Sequence, residues 1–137
     1  MKRQCLSNQE IEQKLADVGV QATVQRIAIC KYVLCEANHP TADQVKDWAD
    51  KNLGKVSLAT VYNTLKTLVE NGLLREFRFP HSDKVFYDCT TDDHFHFVDE
   101  KSSDIYDIDP KDVEVKFNLP KKFRIKDIKV IFKGSIS

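Results

Sequence analysis

Two histidines, His94 and His96, stand two residues apart in DHFHFVDE, a segment rich in acidic residues. On a β-strand, residues i and i+2 point to the same face of the sheet, so these two imidazoles are predicted to lie side by side. Neighbouring imidazoles can bind a divalent transition metal, above all where carboxylates complete the ligand set. The alternative is that both histidines only cover a sheet face, since an H-x-H pair is weak evidence by itself.

Further candidate ligands are spread along the chain. His39 lies in a predicted loop between helices, Asp88 at the end of a predicted hairpin, and Asp107 on the strand after the H-x-H pair. Together with that pair they would supply three nitrogens and two oxygens. Such a set suits Fe(II), Mn(II), Zn(II) or Co(II) better than Mg or Ca.

Four helices are predicted in the first half of the chain. Ser7, Thr23, Thr41 and Ser57 each precede apolar residues at helical spacing, which is where N-cap residues stand. Ser7 also has a glutamate three residues later, as in a capping box.

The fourth helix, in SLATVYNTLKTLVENGL, has an unusual polar face. Its apolar face is predicted to comprise Leu58, Val61, Leu65, Leu68 and Val69. The opposite face carries hydroxyl, amide, phenol and lysine groups, which contact phosphates and base edges in DNA complexes: Thr60, Tyr62, Asn63, Thr64, Lys66 and Thr67. This pattern predicts a DNA-reading helix that begins after Ser57, and Ser57 itself is a further candidate for DNA contact.

A hairpin is predicted after this helix. LLREFRFPHSDKVFYDC suggests two strands around a turn at PHSD, with positive charge from Arg75, Arg78 and Lys84. Three helices followed by a hairpin form a winged helix-turn-helix, here with one more helix in front. His81 falls in the turn and is expected to be exposed without a role. A generic helical protein with a hairpin is the alternative.

The pattern changes after residue 93. HFHFVDE and DIYDI alternate like a strand pair, a short helix is predicted near Pro110, and FRIKDIKVIFKG is predicted to be a strand. The expected fold class is therefore α+β. It combines an N-terminal winged-helix DNA-binding domain (1–87), a hinge (88–93) and a small α/β dimerisation and metal-binding domain (94–137). So small a unit is expected to dimerise or to pack on the first one.

Composition restricts the class of protein. The 21 Lys and Arg balance the 21 Asp and Glu, so DNA binding would depend on local clustering of charge. Neither a membrane-spanning run nor a signal peptide is apparent, so we expect a cytoplasmic protein. The four cysteines form no C-x-x-C pair and are expected to be free thiols, with Cys30 and Cys35 as small hydrophobes in a helix.

Three segments, HPTADQV, SLATVYNTLKTLVENGLL and DHFHF, together resemble the ferric uptake regulator family from about Gly19 to Lys133. The resemblance implies a dimeric winged-helix repressor of pseudo-palindromic operator DNA. It also implies that a metal between the two domains sets the affinity for DNA. Tyr62 and Asn63 would then read bases. Four basic residues would contact phosphates: Lys66, Arg75, Arg78 and Lys84.

Within the family, the chain is most similar to the branch of peroxide-stress regulators. The regulatory site of that branch, three histidines and two aspartates, maps onto His39, Asp88, His94, His96 and Asp107. The iron-uptake branch has glutamate and histidine in place of the two aspartates, and arginine in place of Asn63. The resemblance implies one Fe(II) or Mn(II) per subunit, with His39 or His94 oxidised when peroxide reacts with bound Fe(II).

The chain departs from the family pattern in its cysteines. Asp99 and Ser102 stand at the first of two C-x-x-C pairs that bind a structural zinc in most members, and the second pair is missing after FKGSIS. The resemblance therefore implies no structural zinc and no cysteine switch of the family's type.

Three other functions remain open from the sequence. One is an iron, manganese or zinc uptake regulator that does not sense peroxide. Another is a non-haem iron enzyme, in which two histidines and a carboxylate form a facial triad. The third is a winged-helix protein whose metal site has lost its function.

Overall fold

The computed structural model describes residues 5–79 and 82–137. His81, which the sequence places in the hairpin turn, lies outside the described residues. The chain divides between Thr91 and Asp92 into two compact units, and each unit is described by itself. No helix in the described ranges is both long enough and apolar enough to cross a membrane.

The first unit begins with four helices: α1 (Asn8–Asp17), α2 (Val24–Cys35), α3 (Ala42–Asn52) and α4 (Leu58–Glu70). The predicted caps are confirmed, because the hydroxyls of Ser7, Thr23, Thr41 and Ser57 each accept a hydrogen bond from the amide three residues later. Each cap satisfies one of the helix-end amides and contributes about 1 kcal/mol.

The core of the first unit lies among these helices. Ile29, Leu34, Val45, Val61 and Leu65 are all fully buried in one apolar cluster. Burying a Leu, Ile or Val side chain contributes about 1.5–3 kcal/mol, so this cluster dominates the stability of the unit.

The prediction for α4 is wrong at two positions, one assigned to the buried face and one to the exposed face. Leu58 is 42% exposed, whereas Thr64 is 1% exposed. The buried stripe runs through Val61, Thr64, Leu65 and Leu68, at helical spacing. Thr64 can be buried because its hydroxyl donates to the carbonyl of Thr60 at 2.7 Å.

Two aromatic rings are stacked between α2 and α3. The rings of Tyr32 and Trp48 have centroids 4.0 Å apart and an interplanar angle of 5°. Trp48 packs against the core but is only partly buried.

The predicted hairpin is present as β1 (Arg75–Phe77) and β2 (Phe86–Asp88), which pair antiparallel with Arg75 opposite Asp88. The amide of Tyr87 also donates to the carbonyl of Pro40 at 2.9 Å, and Thr41 forms a bridge with Phe86. These contacts hold the loop before α3 beside the second strand.

The second unit contains a three-stranded sheet with the order β4-β3-β5. β3 (Phe95–Asp99) pairs antiparallel with β4 (Ile105–Ile108) and parallel with β5 (Ile131–Gly134). The predicted strand pair and the α+β class are confirmed. The helix predicted near Pro110 is a single 3-10 turn, Pro110–Asp112. The last strand is much shorter than predicted, since residues 113–130 form neither helix nor strand.

The prediction of four free thiols is wrong for two cysteines. Cys5 and Cys35 form a disulfide across 30 residues of sequence, whereas Cys30 and Cys89 remain thiols. Cys30 is fully buried, as predicted, and burial raises its pKa to about 12.

Candidate metal centre and nucleic-acid interface

In the first unit, the structure brings His39 together with Asp88. Nε2 of His39 lies 3.4 Å from Oδ2 of Asp88, and both side chains are buried. The contact follows from the fold, because the hydrogen bond from Tyr87 to Pro40 sets the His39 loop against β2. Two residues far apart in sequence thus form one pair of metal-binding groups.

Each member of this pair is oriented by a neighbour. Nδ1 of His39 lies 2.7 Å from the amide oxygen of Asn38, to which it donates when protonated. The other oxygen of Asp88, Oδ1, accepts a hydrogen bond from the backbone amide of Thr90 at 2.9 Å. The backbone of His39 has a φ of 46°, a left-handed conformation that a non-glycine residue rarely adopts. The surrounding contacts stabilise this conformation, which directs the ring toward Asp88.

In the second unit, His94, His96 and Asp107 form a second cluster. His96 on β3 stands directly opposite Asp107 on β4. Oδ1 of Asp107 lies 3.2 Å from Nε2 of His94 and 3.6 Å from Nε2 of His96. The two imidazoles, with centroids 4.6 Å apart, share one face as the H-x-H spacing predicts.

The orientation of His94 fits a bound cation. Its Nδ1 lies 2.6 Å from the carbonyl oxygen of Asp92, which can only accept, so Nδ1 carries a proton. In a neutral ring, Nε2 then directs a lone pair at the carboxylate of Asp107. Two electron-rich atoms 3.2 Å apart repel unless a cation or a second proton lies between them. The residues of this cluster therefore fit a divalent metal held by imidazole and carboxylate ligands.

The sequence does not identify three further residues that contribute to this geometry. Asn38 and Asp92 accept hydrogen bonds from the rings of His39 and His94, and the amide of Thr90 donates one to the carboxylate of Asp88. Their only signal in the sequence is that they lie within two residues of a predicted ligand, which is too little to identify them.

On α4, the predicted base-reading residues are exposed. Tyr62 is 47% exposed and Asn63 is also exposed. Ser57 and Thr60 are engaged with each other, because their hydroxyls lie 2.9 Å apart and Ser57 also caps the helix. Lys66 lies 3.8 Å from Glu70 in an exposed pair, which contributes little free energy and leaves the ammonium available to a phosphate.

The predicted phosphate contacts of the hairpin are exposed as well. Arg75 stands on β1, where its guanidinium donates to the carbonyl of Thr91 at 3.2 Å. Arg78 and Lys84 lie in the segment between β1 and β2 and are both exposed. All three basic side chains of the hairpin are thus on its surface.

Comparison with known proteins agrees with this architecture. The model of the ferric uptake regulator family matches residues 17–133. The peroxide-responsive repressor PerR of Staphylococcus epidermidis is 34% identical over 101 residues, which cover 72% of this chain and 67% of that protein.

Solved structures of two proteins are similar in fold to this chain. A structure of PerR from Streptococcus pyogenes, solved to explain peroxide sensing and gene regulation, is 26% identical with a TM-score of 0.55 and covers 99% of this chain and 95% of its own. The ferric uptake regulator of Vibrio cholerae is 18% identical with a TM-score of 0.65, covering 91% of this chain and 98% of its own. This last likeness concerns the fold alone.

Proposed function

The chain belongs to the ferric uptake regulator family, and on this basis we propose that it is a metal-dependent repressor that senses peroxide. Membership makes it a metal-responsive transcription regulator and not an enzyme, so the non-haem iron enzyme is set aside. The observation that carries the finer proposal is that imidazole nitrogens face a carboxylate in both units.

We propose that the two clusters are halves of one site for a single Fe(II) or Mn(II) in each subunit. His39 and Asp88 would provide two ligands, and the second unit would provide three: His94, His96 and Asp107. Asp88 and His94 are only six positions apart in sequence, so at most about 20 Å of extended chain joins the halves. The absence of thiolates from this set favours Fe(II) or Mn(II) over a structural zinc.

Metal binding would then control DNA binding through the segment between the units. The proposed boundaries are a winged-helix domain at 1–87, a hinge at 88–93 and a dimerisation domain at 94–137. Ligands on both sides of a hinge favour the arrangement in which all of them reach the metal, and this shifts the population of the DNA-competent form. In a homodimer, two copies of α4 would enter successive major grooves of a pseudo-palindromic operator in the cytoplasm.

Peroxide sensing would act on the ligands themselves. When bound, Fe(II) supplies the electrons that reduce hydrogen peroxide and so generates an oxidant next to the imidazoles. An oxygen added to the ring of His39 or His94 weakens that ring as a ligand. The two halves are then no longer held together, and the repressor leaves DNA.

The test is a peroxide reaction with metal-loaded protein. Fe(II) is added without oxygen, followed by an equimolar amount of hydrogen peroxide, and tryptic peptides are examined by mass spectrometry. We expect one added oxygen in peptide 32–46, which contains His39, or in peptide 85–101, which contains His94. Fragment ions must place the oxygen on a histidine, because Cys35 and Cys89 lie in the same peptides.

Two controls accompany this experiment. Protein loaded with Mn(II) should gain no oxygen, because Mn(II) does not reduce peroxide in this way. Peptide 79–84 contains His81, a histidine outside the proposed site, and should stay unmodified. If Fe(II) is bound and no histidine is oxidised, the peroxide proposal is wrong and regulation of metal uptake takes its place.

DNA reading by α4 is tested at Asn63. Replacing this exposed residue by alanine removes an amide that can bind a base edge, so specific binding to the operator should weaken by about 10- to 100-fold. Binding to non-specific DNA should stay unchanged, because phosphate contacts carry it. Titration of both DNAs by fluorescence anisotropy measures the two affinities.

The matched control is Asn52→Ala, which alters an exposed asparagine at the end of α3. It should change neither affinity. Equal losses on specific and non-specific DNA in Asn63→Ala would contradict base reading by Asn63.

A further inference from the structure

The disulfide cysteines lie outside both metal-binding clusters. Cys5 precedes α1 and Cys35 is the last residue of α2, with Cα atoms 4.8 Å apart. This separation is within the usual range of disulfides and needs no movement of the backbone. Cys30 also lies on α2 and is fully buried. Burial raises its pKa to about 12, so it stays an unreactive thiol.

The surroundings of Cys5 favour oxidation. The residue is exposed, and the ammonium of Lys31 lies 4.0 Å from its sulfur. The same ammonium donates to the carbonyl of Leu6 at 2.8 Å, which fixes it beside Cys5. A nearby positive charge favours the thiolate, the form of cysteine that reacts with peroxide. Cys35, half-buried on α2, is the partner that such a reaction needs.

The segment that the disulfide holds is part of the packing of the first unit. Leu6 lines one narrow cleft with Ile11 of α1, Leu34 of α2 and Leu68 of α4. Fixing Cys5 to α2 therefore also fixes the start of α1 over the helix that is proposed to read DNA.

We propose that Cys5 and Cys35 are a reversible thiol–disulfide pair that hydrogen peroxide oxidises without any metal. The Cys5 thiolate attacks one peroxide oxygen, an S–O bond forms and the O–O bond breaks, which gives a sulfenic acid and, after protonation, water. The Cys35 thiolate then attacks this sulfur, an S–S bond forms, the S–O bond breaks and a second water leaves. In total, two thiols and one peroxide give one disulfide and two waters, and two electrons pass from sulfur to oxygen.

The pair stabilises the first unit when it is oxidised. A link across 30 residues restricts the unfolded chain, and links of this size raise the midpoint of thermal unfolding by on the order of 10 °C in a domain of this length. Reduction should return the midpoint to its original value. This response is separate from the proposed oxidation of histidine, which requires Fe(II) and is not reversed by thiols.

The experiment uses the whole chain, reduced and then kept in a chelator so that no metal takes part. Hydrogen peroxide is added, remaining thiols are alkylated, and the protein is digested with trypsin without reductant. Cleavage after Lys31 separates the candidates, because Cys30 falls in peptide 27–31 and Cys35 in peptide 32–46. We expect peptide 4–14, which contains Cys5, joined to peptide 32–46, while peptide 27–31 is alkylated.

Variants separate a specific pair from random oxidation. Cys5→Ser and Cys35→Ser should each lose both the joined peptides and the thermal shift, whereas Cys30→Ala should keep both. Lys31→Met should slow formation of the link severalfold, since it removes the charge beside Cys5. A link from Cys5 to Cys30 or Cys89, oxidation of Cys5 to sulfinic acid with no link, or a link without a thermal shift would each overturn the proposal. None of these results bears on the histidine experiment, which is read in the presence of Fe(II).

Discussion

Replacing His96 by alanine should abolish metal-dependent DNA binding and leave the fold intact. Its Nε2 lies 3.6 Å from the carboxylate of Asp107, and its ring lies beside that of His94, with centroids 4.6 Å apart. Loss of one of five proposed ligands should weaken Mn(II) binding at least about 100-fold, because even residues that only orient a ligand account for about 10- to 100-fold. The affinity for operator DNA in Mn(II) should then fall to that of the metal-free protein.

Elemental analysis and DNA titration measure the two effects. The parent protein should hold one metal per chain, as expected if no structural zinc is present, and His96→Ala should hold none after dialysis. The control is His81→Ala, which removes the one histidine outside the proposed site and should keep both metal and DNA affinity. Asp88→Asn tests whether the first unit also contributes a ligand, and its affinity for Mn(II) should fall as well. Unchanged metal affinity in this variant would show that the two units do not share one site.

The second large effect is expected from Leu65→Ala, which should reduce the free energy of unfolding by about 3 kcal/mol. Leu65 lies fully buried on α4 in the core of the first unit. Its truncation removes apolar contacts and leaves a cavity, because the closely packed neighbouring side chains cannot move in to fill it. Since domains have only about 5–15 kcal/mol of stability, much of the unit's margin would be lost.

Leu58→Ala is the matched control, with the same change on the same helix at a position that is 42% exposed. It should cost less than about 1 kcal/mol, because a large part of that side chain is already in water and its truncation opens no enclosed cavity. Urea unfolding followed by circular dichroism at several protein concentrations provides both values. Equal losses in the two variants would mean that the core does not lie where the buried stripe of α4 places it.

Local signals made most of the first unit predictable. Ser7, Thr23, Thr41 and Ser57 specify helix starts through a hydrogen bond that spans only three residues, so no knowledge of the fold is needed. Gly72, with a φ of 72°, lies just after the end of α4, where a glycine tolerates this left-handed conformation.

The errors occurred where distant residues decide the outcome. Leu58 is apolar and at helical spacing, yet it lies before the part of α4 that the other helices cover. Cys5 and Cys35 are brought together by the packing of α1 on α2, which no local pattern contains. Likewise, β5 begins only at Ile131, where it can pair with β3, although the alternating pattern starts several residues earlier.

The sequence brings the residues of the candidate site to attention, but it does not give the orientation of their side chains. An H-x-H pair on a strand places His94 and His96 on one face by local geometry alone. That Asp107 faces both depends on the register between β3 and β4, and the direction of each ring depends on acceptors such as the carbonyl of Asp92. Only the folded chain contains that information.

The stacking of Tyr32 on Trp48 has a practical consequence. Trp48 is the only tryptophan in the chain and belongs to the first unit, so intrinsic emission excited at long wavelength reports on that unit alone. Separation of the two rings on unfolding changes the surroundings of the indole and with them its spectrum. The sheet of the second unit is invisible to this signal. Thermal unfolding followed by this emission and, in parallel, by circular dichroism, to which both units contribute, therefore tells whether the first unit unfolds before, with or after the second.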